Sequence, residues 1–330
     1  MNLLKGRWFV GASMVLMACM ANTSVQAQSA VAGVHSLIVP YPAGNAFDIV
    51  ARRIQGELGE KLGTTIVVEN VSGASGSMAA TRVLNTPSKN LILLAASPNE
   101  LTLPPLIITS AHYKPDDFRM IAQMTSGAFA LITRPDYPAD SIDAFIRDAR
   151  KPGHKPITYG STGVGSIFHM VGADFGKRLG IPVSHIPYRG GAPIIQDLMG
   201  SQVDMTFLPV TPSTLQMERA GKLKILTILA ERPNPMLPKV PTIDVVPELK
   251  GMHYALWTGL FVPASTPQVV AEKINAATSE IVASKDFREW VAERGNDAGQ
   301  VMNLQEAAAF YTAESTRFTD LARRINLSGK

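Results

Sequence analysis

Apolar residues at Phe47, Val50, Ala51, Ile54, Leu58 and Leu62 recur at spacings of three and four, which paints one face of a helix that Gly63 can stop. Short apolar runs flank it: Ser36-Leu37-Ile38-Val39-Pro40, ended by the turn-rich Tyr41-Pro42-Ala43-Gly44-Asn45, and Thr65-Ile66-Val67-Val68-Glu69. A glycine/serine loop, Ser72 to Ser77, then opens a second helix through Ala79, Ala80 and Val83, and Leu91 to Ala95 reads as a fully buried strand. Strand, helix, strand, helix, strand predicts a parallel sheet covered on both faces.

A second series follows Ile121. Ser141 caps a helix to Arg150, Ile157-Thr158-Tyr159 is a strand, and the loop Gly160 to Ser166 leads into a stripe of Ile167, Met170, Val171, Phe175 and Leu179 closed by Gly180. Strands at Val183 to Ile186, Val203 to Leu208 and Ile225 to Leu229 alternate with helices near Pro193 to Met199 and Pro212 to Arg219. From Thr266 onward the pattern is helical only, over Pro267 to Ser284, Lys285 to Arg294 and Leu304 to about Ile325. Helices without partner strands are expected to return to the first sheet. The chain would then cross between two lobes twice, near Met124 to Ala128 and Trp257 to Phe261, and a ligand would be enclosed by hinge closure. The expected division is 28–126 with 259–330 as lobe one and 127–258 as lobe two.

Composition narrows the function. In 330 residues, 31 Lys plus Arg stand against 27 Asp plus Glu, with no basic run or aromatic-interleaved basic stripe, so nucleic acid is a poor partner. The single cysteine, Cys19, excludes a disulfide framework or a multi-cysteine metal site. Lys5 and Arg7, an apolar stretch from Trp8 to about Met20 and a polar segment ending Val25-Gln26-Ala27 have the order of an export signal, with cleavage expected after Ala27. Removing residues 1–27 leaves 29 basic against 27 acidic side chains, a nearly neutral chain bound for the periplasm. The competing pattern Leu16-Met17-Ala18-Cys19 is lipobox-like and would anchor the chain through a lipidated Cys19.

The loops Tyr41 to Asn45 and Gly160 to Ser166 each precede a helix. Their free N–H groups, with the positive end of a helix dipole behind them, can hold a carboxylate without a basic side chain, or they are ordinary strand-to-helix turns. Glycines at 44, 160, 163 and 165 allow close approach and positive φ, and Ser161, Thr162 and Ser166 add hydroxyls. Asp48 fits a dipole-complementing role or a ligand amine, Arg189 a bidentate grip on a carboxylate or a solvated surface, and His169 a packed histidine near the cleft. No dinucleotide fingerprint, Walker A sequence, His-Glu-x-x-His pair or Gly-x-Ser-x-Gly elbow is present, so neither a cofactor nor a metal is expected.

The stretch Ile38 to Arg52, with Val39-Pro40-Tyr41-Pro42-Ala43-Gly44-Asn45-Ala46-Phe47-Asp48 at its heart, resembles the signature of the Bug family, the extracytoplasmic solute receptors of tripartite tricarboxylate transporters. Matches continue in order through Val68-Glu69-Asn70, Gly73-Ala74-Ser75-Gly76, Ser161 to Ser166 with His169, Ile186-Pro187-Tyr188-Arg189-Gly190, Val240-Pro241-Thr242, and Trp257 with Pro263-Ala264-Ser265-Thr266-Pro267. The resemblance implies a two-lobed, type II periplasmic-binding-protein fold of the α/β class, each lobe a mainly parallel sheet flanked by helices and joined by two crossover strands. It implies capture of a small carboxylate, whether a di- or tricarboxylate, an acidic amino acid or an aromatic acid, for membrane permease subunits, by a monomer that is not an enzyme.

By the same resemblance the ligand-binding set is Tyr41, Pro42, Ala43, Gly44, Asn45, Ala46, Asp48, Ser97, Ser161, Thr162, Gly163, Val164, Gly165, Ser166, His169, Tyr188, Arg189 and Asp204. Asn45 replaces the second glycine of the signature; it can adopt a left-handed conformation and would place a side chain in the first loop. Ser88-Lys89-Asn90 also departs from the pattern. An orphan ligand sensor feeding a two-component system would have the same sequence features, and an exported α/β enzyme is the alternative of another class.

Overall fold

The computed structural model describes residues 34–87 and 91–326. The export signal, Cys19 and Ser88-Lys89-Asn90 lie outside them.

Strand β1 (Val34–Val39) runs into helix α1 (Ala46–Leu62), whose apolar stripe is buried and whose end is fixed by Gly63 at φ 70°. The Gly63 and Thr64 N–H groups bond back to the Glu60 and Gly59 carbonyls, the paired closure that a left-handed glycine permits. There follow β2 (Thr65–Asn70), α2 (Ser77–Asn85), β3 (Ile92–Ala96) and two single-turn helices, α3 (Pro98–Leu101) and α4 (Pro104–Ile107). Strand β4 (Phe118–Thr133), the longest among the described residues, leads to α5 (Ile142–Ala149), β5 (Ile157–Ser161), α6 (Ile167–Leu179), β6 (Val183–Pro187), α7 (Gly191–Met199), β7 (Met205–Pro209), α8 (Pro212–Arg219) and β8 (Lys224–Ile228). The chain returns through β9 (Ala255–Pro263) and ends in α9 (Gln268–Ala283), α10 (Lys285–Ala292), β10 (Asp297–Ala298) and α11 (Leu304–Arg324).

The first sheet pairs β2, β1 and β3 in parallel and continues antiparallel through β9 and β4; the second pairs β6, β5 and β7 in parallel with β4 and β8 antiparallel. Each is the mainly parallel, helix-covered sheet expected, and β4 belongs to both. It pairs with β9 as far as Ala128 and with β7 from Phe129, and the Phe129 N–H bonds Tyr254 just before β9 begins. Two adjacent antiparallel strands therefore make both crossings, which is the geometry of a hinge.

Helices α1, α9 and α10 cover one face of the first sheet, and α2 with the first half of α11 the other. The second sheet lies between α5 and α6 on one side and α7 and α8 on the other. The C-terminal region differs from the expected pattern in two ways. The two-residue strand β10 pairs with β4 in the hinge, too short a segment to show in periodicity. Helix α11 does not stop at the first sheet: Ala307 and Tyr311 pack there, while Phe318, Leu321 and Ala322 enter the core of the second, and Arg324 pairs with the fully buried Asp174 of α6 at 3.0 Å. Its apolar stripe is long enough to reach both cores.

Trp257 fills the hinge. It is buried against Phe261 and Phe310 and donates from Nε1 to Glu314 of α11 at 2.9 Å. Among the described residues no helix is long and apolar enough to cross a membrane.

Candidate functional site

The first candidate loop is locked from beneath by Asp48. Its carboxylate accepts from the Gly44 N–H at 2.8 Å, from Arg52 Nε at 3.0 Å and from Asn70 Nδ2 at 2.9 Å, and it is 2% exposed. Burial works to raise its pKa, but those donors outweigh burial and hold the carboxyl below the ordinary range.

Gly44 takes φ 84°, the left-handed region, as expected. Asn45 does not. At φ −70° and ψ 160° it is an extended N-cap whose Oδ1 accepts from the Phe47 N–H at 2.9 Å. The expectation of a left-handed Asn45 is therefore corrected: the position needs no glycine, and the side chain closes the helix start. The Ala46 N–H has no hydrogen-bond partner among the described residues.

The second loop is wound by its own side chains. Ser161 Oγ accepts from the Gly163 N–H at 3.1 Å, Ser166 Oγ donates to the Gly163 carbonyl at 2.8 Å, and His169 Nδ1 accepts from the Gly165 N–H at 3.1 Å. Gly163 and Gly165 have φ 129° and 79°. Gly160 is a correction, because it lies within β5 without positive φ; its requirement is space, since a Cβ there would stand 2.7 Å from Ile194 Cγ2. The Thr162 and Val164 N–H groups remain without partners among the described residues.

His169 stacks on His185 with ring centroids 3.9 Å apart, and His185 Nε2 lies 2.5 Å from Ser161 Oγ. Burial, reinforced by the neighbouring His169, pushes His185 down to about 4, and burial lowers His169 as well. Both rings are thus held neutral, which suits His169 as an acceptor.

A third turn, not anticipated beyond Ser97, joins the two loops. Ser97 caps α3, and its N–H and Oγ both donate to Glu100 Oε2, at 2.7 and 2.9 Å. Glu100 Oε1 accepts from Asn99 Nδ2 at 2.7 Å and from the hydroxyl of Tyr41 in the first loop. Burial raises the Glu100 pKa against the pull of these donors, and burial followed by the Glu100 charge raises that of Tyr41. Asn99 also bonds the Tyr41 hydroxyl at 3.2 Å, while its Oδ1 accepts from the Ile167 N–H, the first amide of α6, at 3.1 Å. Tyr41 and the start of α6 therefore share one polar junction.

A cavity of about 460 Å³ lies against the first loop. Gly44, Ala46, Ile49 and Val50 line it from the first loop and α1; Pro209, Thr211, Pro212 and Ser213 face them from the turn between β7 and α8. Thr125, Leu256 and Thr258 of the hinge strands form its floor, and Trp290, Val291, Arg294 and Asn296 close the side. Among the described residues lining it none is acidic. The N-termini of α1 and α8, one from each sheet, open onto it, and the field of both favours an anion. Ser161 to Ser166 do not line this cavity; they meet the first sheet at Asn99 instead.

The other candidates are placed apart. Arg189 is exposed and forms no ion pair or hydrogen bond among the described residues. Tyr188 donates to Asp197 at 2.7 Å. Asp204 stands before β7, at the strand end opposite the cavity, where it accepts from the Thr158 N–H and from Arg134. Pro42 and Ala43 are exposed at the loop tip. The residues that sequence reasoning missed are Asn99 and Glu100, the turn Pro209 to Ser213, and the cavity-facing Thr125, Thr258 and Arg294. Only the Ser97-Pro98-Asn99-Glu100 capping-box pattern could have flagged any of them.

Two α/β lobes, a paired-strand hinge and an anion-favouring cavity between them define a solute-binding receptor of the periplasmic-binding-protein class. The profile described as "Tripartite tricarboxylate transporter family receptor" matches residues 50–327, and the chain belongs to that family. It is 30% identical over 259 residues to a protein of the tcbD–tcbE intergenic region of Pseudomonas sp. strain P51, covering 78% of this chain and 76% of that one. It is 28% identical over 264 residues to protein BugT of Bordetella pertussis, covering 78% and 79%. Among solved structures it resembles R. palustris Rpa4515 with adipate, at TM-score 0.78 and 25% identity over 89% of this chain and 97% of that one. It also resembles MatC (Rpa3494) from Rhodopseudomonas palustris with bound malate, at TM-score 0.73 and 26% identity over 88% and 98%.

Proposed function

We propose that this receptor encloses a small carboxylate in the cavity between its lobes and presents it to the permease subunits of a tripartite tricarboxylate-type transporter, with no catalytic step of its own. The observation that carries this reading is the cavity wall: helix N-termini from both sheets, no acidic side chain, and a floor made by the hinge itself. An anion there bridges the two sheets, so binding favours the closed arrangement by differential contact. The adipate and malate of the two structural relatives are acids of the same kind.

Under this reading Gly44 and Ala46 touch the ligand. Tyr41, Asp48, Ser97, His169 and the Ser161 to Ser166 loop set the geometry of the closing elements. Lobe one comprises residues 28–126 with 259–330 and lobe two 127–258, with α11 strapped across both. Residues 1–27 act as an export signal removed after Ala27, which delivers a monomer to the periplasm.

The test is differential scanning fluorimetry of refolded, ligand-free protein against a library of mono-, di- and tricarboxylates, acidic amino acids and aromatic acids. A ligand at one hundred times its Kd stabilises the folded state by about 2.7 kcal/mol, so at least one acid should raise Tm by a readable amount. No shift with any small acid would overturn the proposal.

A further inference from the structure

Arg294 is the basic residue in the cavity wall. Its guanidinium lies 4.2 Å from the centroid of the Trp290 ring and Nη1 donates to the Trp290 carbonyl at 2.7 Å, so the head is held by the residue one helical turn earlier. Its ion-pair partner, Glu293, is mostly exposed and 3.7 Å away, a solvent-screened surface pair that leaves the guanidinium available to an anion. Nε and Nη2 form no hydrogen bond among the described residues.

The floor of the same cavity supplies an independent sign of a ligand. Thr125 and Thr258 are register partners on β4 and β9, 8% and 3% exposed, and both line the cavity. Neither hydroxyl has a hydrogen-bond partner among the described residues. Two adjacent hydroxyls on nine-tenths-buried residues of this wall, without protein partners, are left to bond a polar group that enters the cavity. The same cavity also has an apolar lining, made by Val50, Leu256, Trp290 and Val291.

We infer that Arg294 is a specificity-determining residue that selects dicarboxylates over monocarboxylates of the same chain length. The inner carboxylate takes the free N–H groups of Ala46 and Ser213 and the Thr125 and Thr258 hydroxyls. The carbon chain lies along the apolar lining, and the outer carboxylate pairs with Arg294, whose planar fork suits two parallel hydrogen bonds. This rests on the receptor reading above and adds to it a second, charged pole.

Isothermal titration calorimetry on refolded, ligand-free protein tests it with two matched pairs, adipate against hexanoate and succinate against butyrate. Wild type should prefer the diacid of at least one pair by about tenfold or more. Arg294→Gln should reduce that preference to within about threefold by weakening the diacid alone. Thr258→Val should weaken both members of the pair alike, because it removes a donor to the carboxylate they share. Arg294→Lys keeps the charge without the fork and should retain part of the preference, so the comparison survives a Gln variant that does not fold. An unchanged diacid preference in either Arg294 variant, or wild type that binds acids without preferring diacids, overturns this inference and leaves the receptor standing. Wild type that binds no acid overturns both.

Discussion

Asn99 reaches from the first sheet to the second: its Oδ1 accepts the N–H of Ile167, the first amide of α6, at 3.1 Å. Helix starts leave such donors unpaired, and Ser166 can serve only the His169 N–H. The orphan is satisfied from the opposite lobe. Because Asn99 Nδ2 also meets the Tyr41 hydroxyl, one amide side chain couples the first loop to the second.

Asn99→Ala removes that coupling and leaves the Ile167 N–H buried without an acceptor. The loss should be about 1–3 kcal/mol and fall on the arrangement in which the lobes meet. Urea unfolding should show the decrease, and titration should show weaker binding of every ligand by a similar factor. Unchanged affinity would mean that the junction plays no part in closure.

Glu100→Gln tests the buried turn beside it. Oε2 accepts from the Ser97 N–H and Oε1 from Asn99 Nδ2, both obligatory donors, so either orientation of a glutamine amide sets an N–H₂ group against an N–H. A nearly isosteric change should therefore destabilise by about 1–3 kcal/mol. A midpoint within error of wild type in chemical denaturation would contradict the donor arrangement.

Asn45 separates two explanations for a departure from the family signature. With φ −70° and an Oδ1 bond to the Phe47 N–H, its task is to cap α1. Asn45→Ala should cost about 0.5–2 kcal/mol and Asn45→Gly only a few tenths, with ligand range unchanged in the glycine variant. A changed ligand range in that variant would show the side chain in contact with the ligand.

The histidine pair makes the second loop sensitive to acid. An exposed histidine titrates near 6.5, whereas His185 in the folded chain titrates at about 4 and His169 is lowered in the same direction. Between these limits the unfolded chain binds more protons than the folded one, so stability is complete above about pH 6.5 and falls as the pH drops towards about 4. Protonation at His169 Nδ1 also removes the acceptor for the Gly165 N–H. Tm measured from pH 7 to 4 should fall more steeply in wild type than in His185→Phe; parallel profiles would contradict the assignment.

Much of the fold was legible because it is written in periodicity. The α1 stripe from Phe47 to Leu62, the Gly63 stop, the Ser141 cap and Pro212 to Arg219 stand where local pattern put them. The partner change of β4 at Ala128 and the reach of α11 to Phe318 depend on which apolar faces meet, and that information is not local. The same division runs through the site. Gly44 and Gly163 could be picked out because their φ angles demand glycine. Asn99, Thr125, Thr258 and Arg294 have ordinary neighbours in sequence and acquire meaning only when the sheets come together. Asp204 entered the candidate set through the family resemblance and not through any local pattern, and its bonds to Thr158 and Arg134 are made at the end of β7 away from the cavity.

The most direct measurement is the position of a bound acid in a crystal structure grown with adipate. One carboxylate is expected within hydrogen-bond distance of the Ala46 and Ser213 amides, in the cavity lined by Thr125 and Thr258. Adipate seated on any other surface, with that cavity filled only by water, would contradict it.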